Sequence, residues 1–568
     1  FLRKAKVTIS YPSVSMVSIA RSESRFSLMM SKLLLNAEVA GAWARTSRLG
    51  KKSVEQYPLA GTQKAAFFKI GDGFSKLNEG TINENGVVKI SGNKLRQIFG
   101  PSIPISKVLL YASTKGMLST EIPNEGAIPA GITEIPMIRV DINGNGYVDS
   151  LDYCLAYVSG TSDWDYDYDY RFKINYYDVY RTYWLTVGNS DGRSYSKFKQ
   201  PQNPLRNYSS FTNRLYAKRS ELRESGSEGG NRWVWQKLKS NDRTFKYTFD
   251  FPHLDTTKAG LMYLSRNSDG LNVTFADSLL IMGSGFTYPV NKWGNRTLTI
   301  DFTYSGESYY ELEDITFEYS SRLQLTSGVK SMTVFSSADS SIVAYNLSGV
   351  KGRNVYIFRI DAAEDTVTII DTLKMSLTDT VTWADTGSIG TRYFICTDSG
   401  FIAEPDIQMP STITGSSLVT DIRSVNNNTD YLIITHPEFI GECEKLCTHK
   451  RKMGFKNPVI VLIDDVYRYF NGGSKDPVAI RNFIAYVKNN WTSGDNLLFT
   501  VLVGSGHYDP KRYKTSETDF IPIYQNSSLL QEDFFTYTKP DTSKSSYQDD
   551  TKPQCVIGRF PCKTATEA

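Results

Sequence analysis

The sequence predicts a multidomain chain in which β-rich modules, built as antiparallel sandwiches, precede the first part of an α/β domain with a parallel sheet. Three observations predict it. The 568 residues exceed what one hydrophobic core organises and suit about three or four domains at roughly 150 residues each. Aromatic residues make up 13% of the chain, with 35 Tyr and 41 Gly, a mixture that favours strands joined by tight turns. After about residue 430 the short alternating strands give way to continuous apolar strands separated by helical patterns, the mark of a parallel sheet covered on both faces.

Composition narrows the function classes. Charged residues at 22% and hydrophobic ones at 40% exclude a disordered chain and a membrane-embedded one. Lys+Arg 64 against Asp+Glu 60 leaves a net charge of +4, too small to argue for nucleic acid or an anionic surface. The six cysteines, Cys154, Cys396, Cys443, Cys447, Cys555 and Cys562, are too scattered for a disulfide framework. The sequence opens on Phe1-Leu2-Arg3-Lys4, and Thr566-Glu567-Ala568 reads as the first turn of a helix; a fragment is expected. The apolar run from Leu28 to Leu35 is broken by Lys32 and is far shorter than a spanning helix needs.

The elements follow in order. Residues 1–60 form an N-terminal segment and 61–200 a β-rich module, with Asn85-Gly86 ahead of Val87-Val88-Lys89-Ile90 and a strand at Val108-Leu109-Leu110-Tyr111. The alternation Asp163-Trp164-Asp165-Tyr166-Asp167-Tyr168-Asp169-Tyr170 puts rings on one strand face and carboxylates on the other. It fits a half-buried strand or edge hairpin better than an aromatic binding platform. Residues 201–231, rich in Ser, Asn, Arg and Glu, read as a linker or long loop, and 232–415 as one or two β-sandwiches. In 416–568 the pattern is strand Tyr431–Thr435, helix Glu438–Met453, strand Val459–Ile463, helix Val478–Asn490 and strand Leu497–Val503.

Three places carry residue types suited to chemistry. The loop Gly504-Ser505-Gly506-His507-Tyr508-Asp509-Pro510 follows a parallel strand, where such sheets place catalytic groups. His507 and Asp509 form an acid/base pair by type, but a loop histidine that hydrogen-bonds locally explains the pattern better; Ser505 lacks the spacing of a nucleophile elbow. Cys443 and Cys447 share a helical face that His449 does not, so buried packing explains them better than a metal pair. His436 and His253 carry no partner signal. The segment Asp141 to Asp152 places oxygen ligands at Asp141, Asn143, Asn145, Asp149 and Asp152 with Gly146 at position six. That is the layout of a Ca²⁺ loop, or equally of a polar turn that never sees metal.

Residues 431–568 resemble the gingipain-type cysteine peptidases. The motifs are Asp430-Tyr431-Leu432-Ile433-Ile434-Thr435, Leu446 with His449 and Gly454, Asp476-Pro477-Val478-Ala479-Ile480-Arg481-Asn482-Phe483, Val501 to Pro510, Ile521-Pro522-Ile523-Tyr524, Asp533-Phe534-Phe535 and Ile557-Gly558-Arg559-Phe560-Pro561. They occur in the family's order. The earlier region, notably Val88 to Gly92 with Leu95, Asp149 to Tyr153 and Leu312 to Leu323, is similar to the N-terminal part of the sortases of the type IX secretion system of Bacteroidetes. The resemblance implies a caspase-like α/β domain and a Cys thiolate activated by a His in a Gly-His-Gly turn. It also implies protein substrates, namely the C-terminal sorting domains of secreted cargo, a place at the cell surface, and an outer-membrane anchor protein as partner. Family order puts that His and Cys after the Ile-Gly-Arg-x-Pro motif, so the expectation is a dyad beyond Ala568, no catalytic residue before it, and an inactive fragment. Ser505 stands where the family usually has Asp.

Overall fold

The computed structural model describes residues 64–71, 85–121, 131–164, 172–223, 233–239, 241–264, 270–275, 278–281, 287–290, 293, 296–326, 328–337, 340–361, 366–492, 497, 499–525, 530–538 and 553–568. The segment 1–60 with its apolar run, the alternation from Asp165 to Tyr170, and 224–231 of the expected linker lie outside the described residues.

The first module contains β1 (Ala65–Gly71), β2 (Gly86–Ser91), helix α1 (Gly92–Phe99), β3 (Val108–Ser113), β4 (Ile132–Ile135), β5 (Ile138–Val140), β6 (Tyr153–Val158), the hairpin pair β7 (Asp163–Trp164) and β8 (Phe172–Lys173), and β9 (Tyr180–Val187). The sheets are β1-β9-β3-β4 and β2-β6-β5, antiparallel throughout. Their facing sides share one core that includes Phe68, Ile90, Leu110, Ala156 and Leu185. Ser91 ends β2 and caps α1 by accepting the Lys94 N–H at 3.2 Å.

Two further sandwiches follow. The first packs Phe251, Trp293, Phe302 and Phe317 at its centre; the second packs Val343, Ile357, Trp383 and Ile395. The expected linker 201–231 is corrected here. Its residues Ser210–Lys218 form a strand paired along its whole length with Asp314–Arg322. Phe211, Tyr216 and Ala217 are buried while polar side chains face outward, so half of a true strand imitates linker composition.

The last domain contains β10 (Tyr431–Thr435), α2 (Ile440–Lys452), β11 (Pro458–Leu462), α3 (Ile463–Asn471), α4 (Pro477–Asn490), β12 (Phe499–Val503) and β13 (Val556–Phe560). The sheet order is β11-β10-β12-β13, all parallel. Tyr431–Thr435 and Pro458–Leu462 are wholly buried, as strands covered on both faces must be. The expected strand and helix positions hold within a few residues, but α3 was not expected. It starts directly after β11, with no turn residue to announce it, and ends at Gly472 in the left-handed region (φ 57°). Helix α4 begins with Pro477 after Asp476, whose carboxylate accepts the Val478 N–H, and is buried from Pro477 through Val487. Among the described residues no helix is long and apolar enough to cross a membrane.

Candidate active site

From β10 the chain passes to β11 on one side, then returns past β10 to β12 on the other. The order therefore reverses between β10 and β12, and the crevice at their carboxyl ends is where such sheets hold ligands. Thr435 closes β10 and donates from its hydroxyl to the Val503 carbonyl at 3.1 Å, tying the two strand ends together. His436 comes next. Its ring packs edge-on against Phe520 with centroids 5.0 Å apart, and its Nδ1 lies 3.8 Å from the Glu438 carboxylate.

The loop after β12 turns sharply at Gly504 (φ 138°), where a Cβ would meet the Phe520 Cβ at 2.9 Å. Only glycine fits that backbone and that gap. The Gly504 N–H donates to Phe560 O and the Ser505 N–H to Cys562 O, both at 2.9 Å, which extends the contact with β13 past its end. The Ser505 carbonyl accepts from Phe520 at 3.0 Å, so the backbone of this turn, not the Ser505 hydroxyl, carries the architecture. Arg559 on β13 secures the same turn. It donates to Gly504 O and Ile521 O at 2.8 Å each and pairs with Glu532 at 2.8 Å.

His507 is held locally. Its backbone N–H donates to Asp519 at 2.8 Å and its Nδ1 accepts the Asp509 N–H at 3.0 Å. In the neutral ring the proton then sits on Nε2, 3.7 Å from the Glu517 carboxylate, which Lys563 also pairs at 2.7 Å. Asp509 accepts the Tyr513 and Lys514 N–H groups and is fully buried. Both side chains thus shape the loop. The sequence did not single out Asp519, Glu517 or Lys475, whose ammonium holds Asp519 at 2.8 Å; Arg559 was visible inside its motif, without a role.

All six cysteines are buried and free. Burial pushes the Cys443 and Cys154 thiols up to about 12 and Cys447 to about 11, and it raises Cys396, Cys555 and Cys562 as well. None is a thiolate near neutral pH, so none is an activated nucleophile. Cys443 and Cys447 face the core from α2, while His449 is exposed, so the three do not converge.

The loop from Asp141 to Asp152 is organised by its own side chains. Asp141 accepts the Gly144 and Gly146 N–H groups at 2.7 Å, and both glycines have positive φ. Asn143 and Asn145 accept the N–H groups two residues on, and Asp152 accepts from Ile142 and Asp149 at 2.8 Å. Asn143 also donates to Asp149. The five residues therefore surround one turn, each engaged by backbone or neighbour.

A family model described as peptidase family C25 matches residues 424–568. Over these residues the chain is similar to peptidase family C25. The C25 region coincides with the parallel sheet and its carboxyl-end loops. The fold of nearly the whole chain is that of dimeric latent PorU from Porphyromonas gingivalis, with a TM-score of 0.66 at 15% identity over 89% of this chain. The chain spans about half of that protein's length, 48%. β-Glucuronidases from Bacteroides uniformis and Ruminococcus gnavus follow at 7% and 9% identity, covering 54% and 55% of this chain and 49% and 70% of theirs. Their TM-scores of 0.13 and 0.14 carry no argument. No curated protein sequence matches the chain.

Proposed function

We propose that the full-length protein is a cysteine-type endopeptidase and sortase that removes C-terminal sorting domains from type IX secretion cargo. The observation that carries this is the C25 match on a parallel sheet whose switch point bears the family motifs, within a PorU-like fold. The thiolate chemistry needs a Cys beside a His base. The six thiols here are buried and His507 is spent on its loop, which supports a His-Cys dyad drawn from sequence after Ala568. Residues 504–525, fixed by Arg559 and Asp519, would then form a preset wall beside that dyad. With this reading go a place at the cell surface of the outer membrane, secreted proteins as substrates, and an outer-membrane anchor protein as partner.

The test is labelling of the full-length protein with a thiol-reactive peptide probe. Labelling at one cysteine, lost when that residue becomes Ala, supports the peptidase. A folded protein that never labels leaves the rival reading, a surface binding or scaffold protein with a degenerate C25 domain. For Asp141, Asn143, Asn145, Asp149 and Asp152 the proposal is a Ca²⁺ site that assembles only on binding: among the described residues no three His, Cys, Asp or Glu side chains are grouped to hold a metal, but each oxygen taken by one N–H keeps a second lone pair. Added Ca²⁺ should raise Tm and give binding heat by calorimetry, and absence of both overturns the site.

A further inference from the structure

Between the first module and the second sandwich lies a cavity of about 370 Å³, bordered by β3, β7, β9 and the strands Val355–Asp361 and Thr366–Leu373. It lies well away in sequence from the loops of the C25 region. Its volume falls in the range of small-molecule sites, roughly 300–1,000 Å³. Its lining combines the rings of Tyr157, Trp164 and Tyr183 with the side chains of Lys115, Arg181 and Asp163.

The charges do not balance. Asp163 is 6% exposed and grips Arg392 through both oxygens, at 2.5 and 2.8 Å, while also pairing with Lys115. One carboxylate therefore serves two cations. Arg181, 7% exposed, donates to the Ser113 carbonyl at 3.0 Å and the Ser159 hydroxyl at 2.7 Å. Both partners are neutral, and Arg181 makes no ion pair among the described residues. Of the other charges that line the cavity, Asp361 pairs with Arg359, the Glu134 carboxylate takes, among the described residues, only the neutral Arg193 N–H, and Lys173 and Arg193 add two cations, so the lining stays richer in cations than in carboxylates. A cluster of buried cations in excess of its carboxylates is costly unless an anion completes it. Burial draws the Lys115 ammonium below its usual range, while Asp163 holds it charged against Arg392 and Arg181. The Lys115 side chain keeps 24% exposure, so the cavity has a polar mouth.

We propose that this cavity binds a small organic anion, its carboxylate or phosphate head held by Lys115 and Arg181 and its body laid against Tyr157, Tyr183 and Ile360. This stands apart from the peptidase reading and uses none of its residues.

Calorimetry on the chain Phe1–Ala568 tests it with three probes: benzoate, phenyl phosphate and uncharged benzamide. The expected result is one-to-one binding of at least one anion and none of benzamide; which anion binds separates carboxylic acids from phosphate esters. Lys115→Met should weaken binding by about tenfold or more, the scale of one lost charged hydrogen bond. Thr366→Trp, which fills the cavity from its wall and leaves Lys115 and Arg181 in place, should abolish it. Failure of both anions to bind, equal binding of benzamide, or unchanged affinity in Thr366→Trp overturns the proposal, the last even if Lys115→Met does not fold.

Discussion

Arg559 ties the loops after β12 to β13. Its guanidinium holds two carbonyls of the loops after β12 and a carboxylate, with only 10% of the side chain exposed. Arg559→Ala leaves those acceptors unpaired, and we expect a loss of about 2–4 kcal/mol in urea denaturation. Arg559→Lys cannot reproduce the fork and should recover less than half of it. The cysteines make an opposite prediction. With every thiol buried and shifted upward, an aromatic disulfide reagent at pH 8 should modify the native chain at least about a hundredfold more slowly than the unfolded one. One fast cysteine would mark an activated thiol missed here. The sequence revealed that His507 belongs to a loop at a strand end, because glycines and a terminated apolar run signal that locally. It could not reveal Asp519 or Glu517 as its neighbours, since those contacts form only when a loop folds back over ten residues.

At the scale of elements, α4 is the joint between the C25 region and the first module. Arg481, buried on α4, donates to the carbonyls of Thr120 at 2.6 Å and Glu121 at 2.9 Å, and Asp476 at the helix start accepts the Leu118 N–H at 2.8 Å. Burial pushes the Asp476 carboxyl up to about 6, against the two backbone amides that favour its anion. The folded chain then keeps this proton between about pH 4 and 6, where the unfolded chain has lost it. The contribution of this group to stability therefore falls as pH rises through that window and is level above it. Asp476→Asn, which mimics the neutral form, should gain on the wild type by about 1–3 kcal/mol between pH 4 and 7. Parallel urea midpoints at the two pH values would contradict the assignment. Strands β10 and β11 were legible because residues buried on both faces leave continuous apolar runs. Helix α3 was not, because nothing separates it from β11. Nor was the strand Ser210–Lys218, whose partner lies a hundred residues downstream.

At the scale of the molecule, the β-modules reach the loops of the candidate site directly. Lys511 donates to Asn175 O at 3.0 Å, the Tyr177 hydroxyl bridges the Gln525 backbone, and Trp233 packs on Tyr508 and Tyr513. The loops beside the switch point are therefore positioned by modules hundreds of residues earlier, a dependence no local pattern encodes. The succession of β-modules and parallel sheet was readable from periodicity alone, whereas the interfaces between them were not, because they depend on single side chains such as Tyr177 and Arg481. The proposed peptidase needs a cysteine nucleophile outside the six thiols described. Mass spectrometry of the full-length protein after labelling with a thiol-reactive peptide probe tests it most directly. One labelled cysteine is expected, located after Ala568, with Cys154, Cys396, Cys443, Cys447, Cys555 and Cys562 unmodified. Labelling at any of those six, or a folded protein with no label at all, would contradict it.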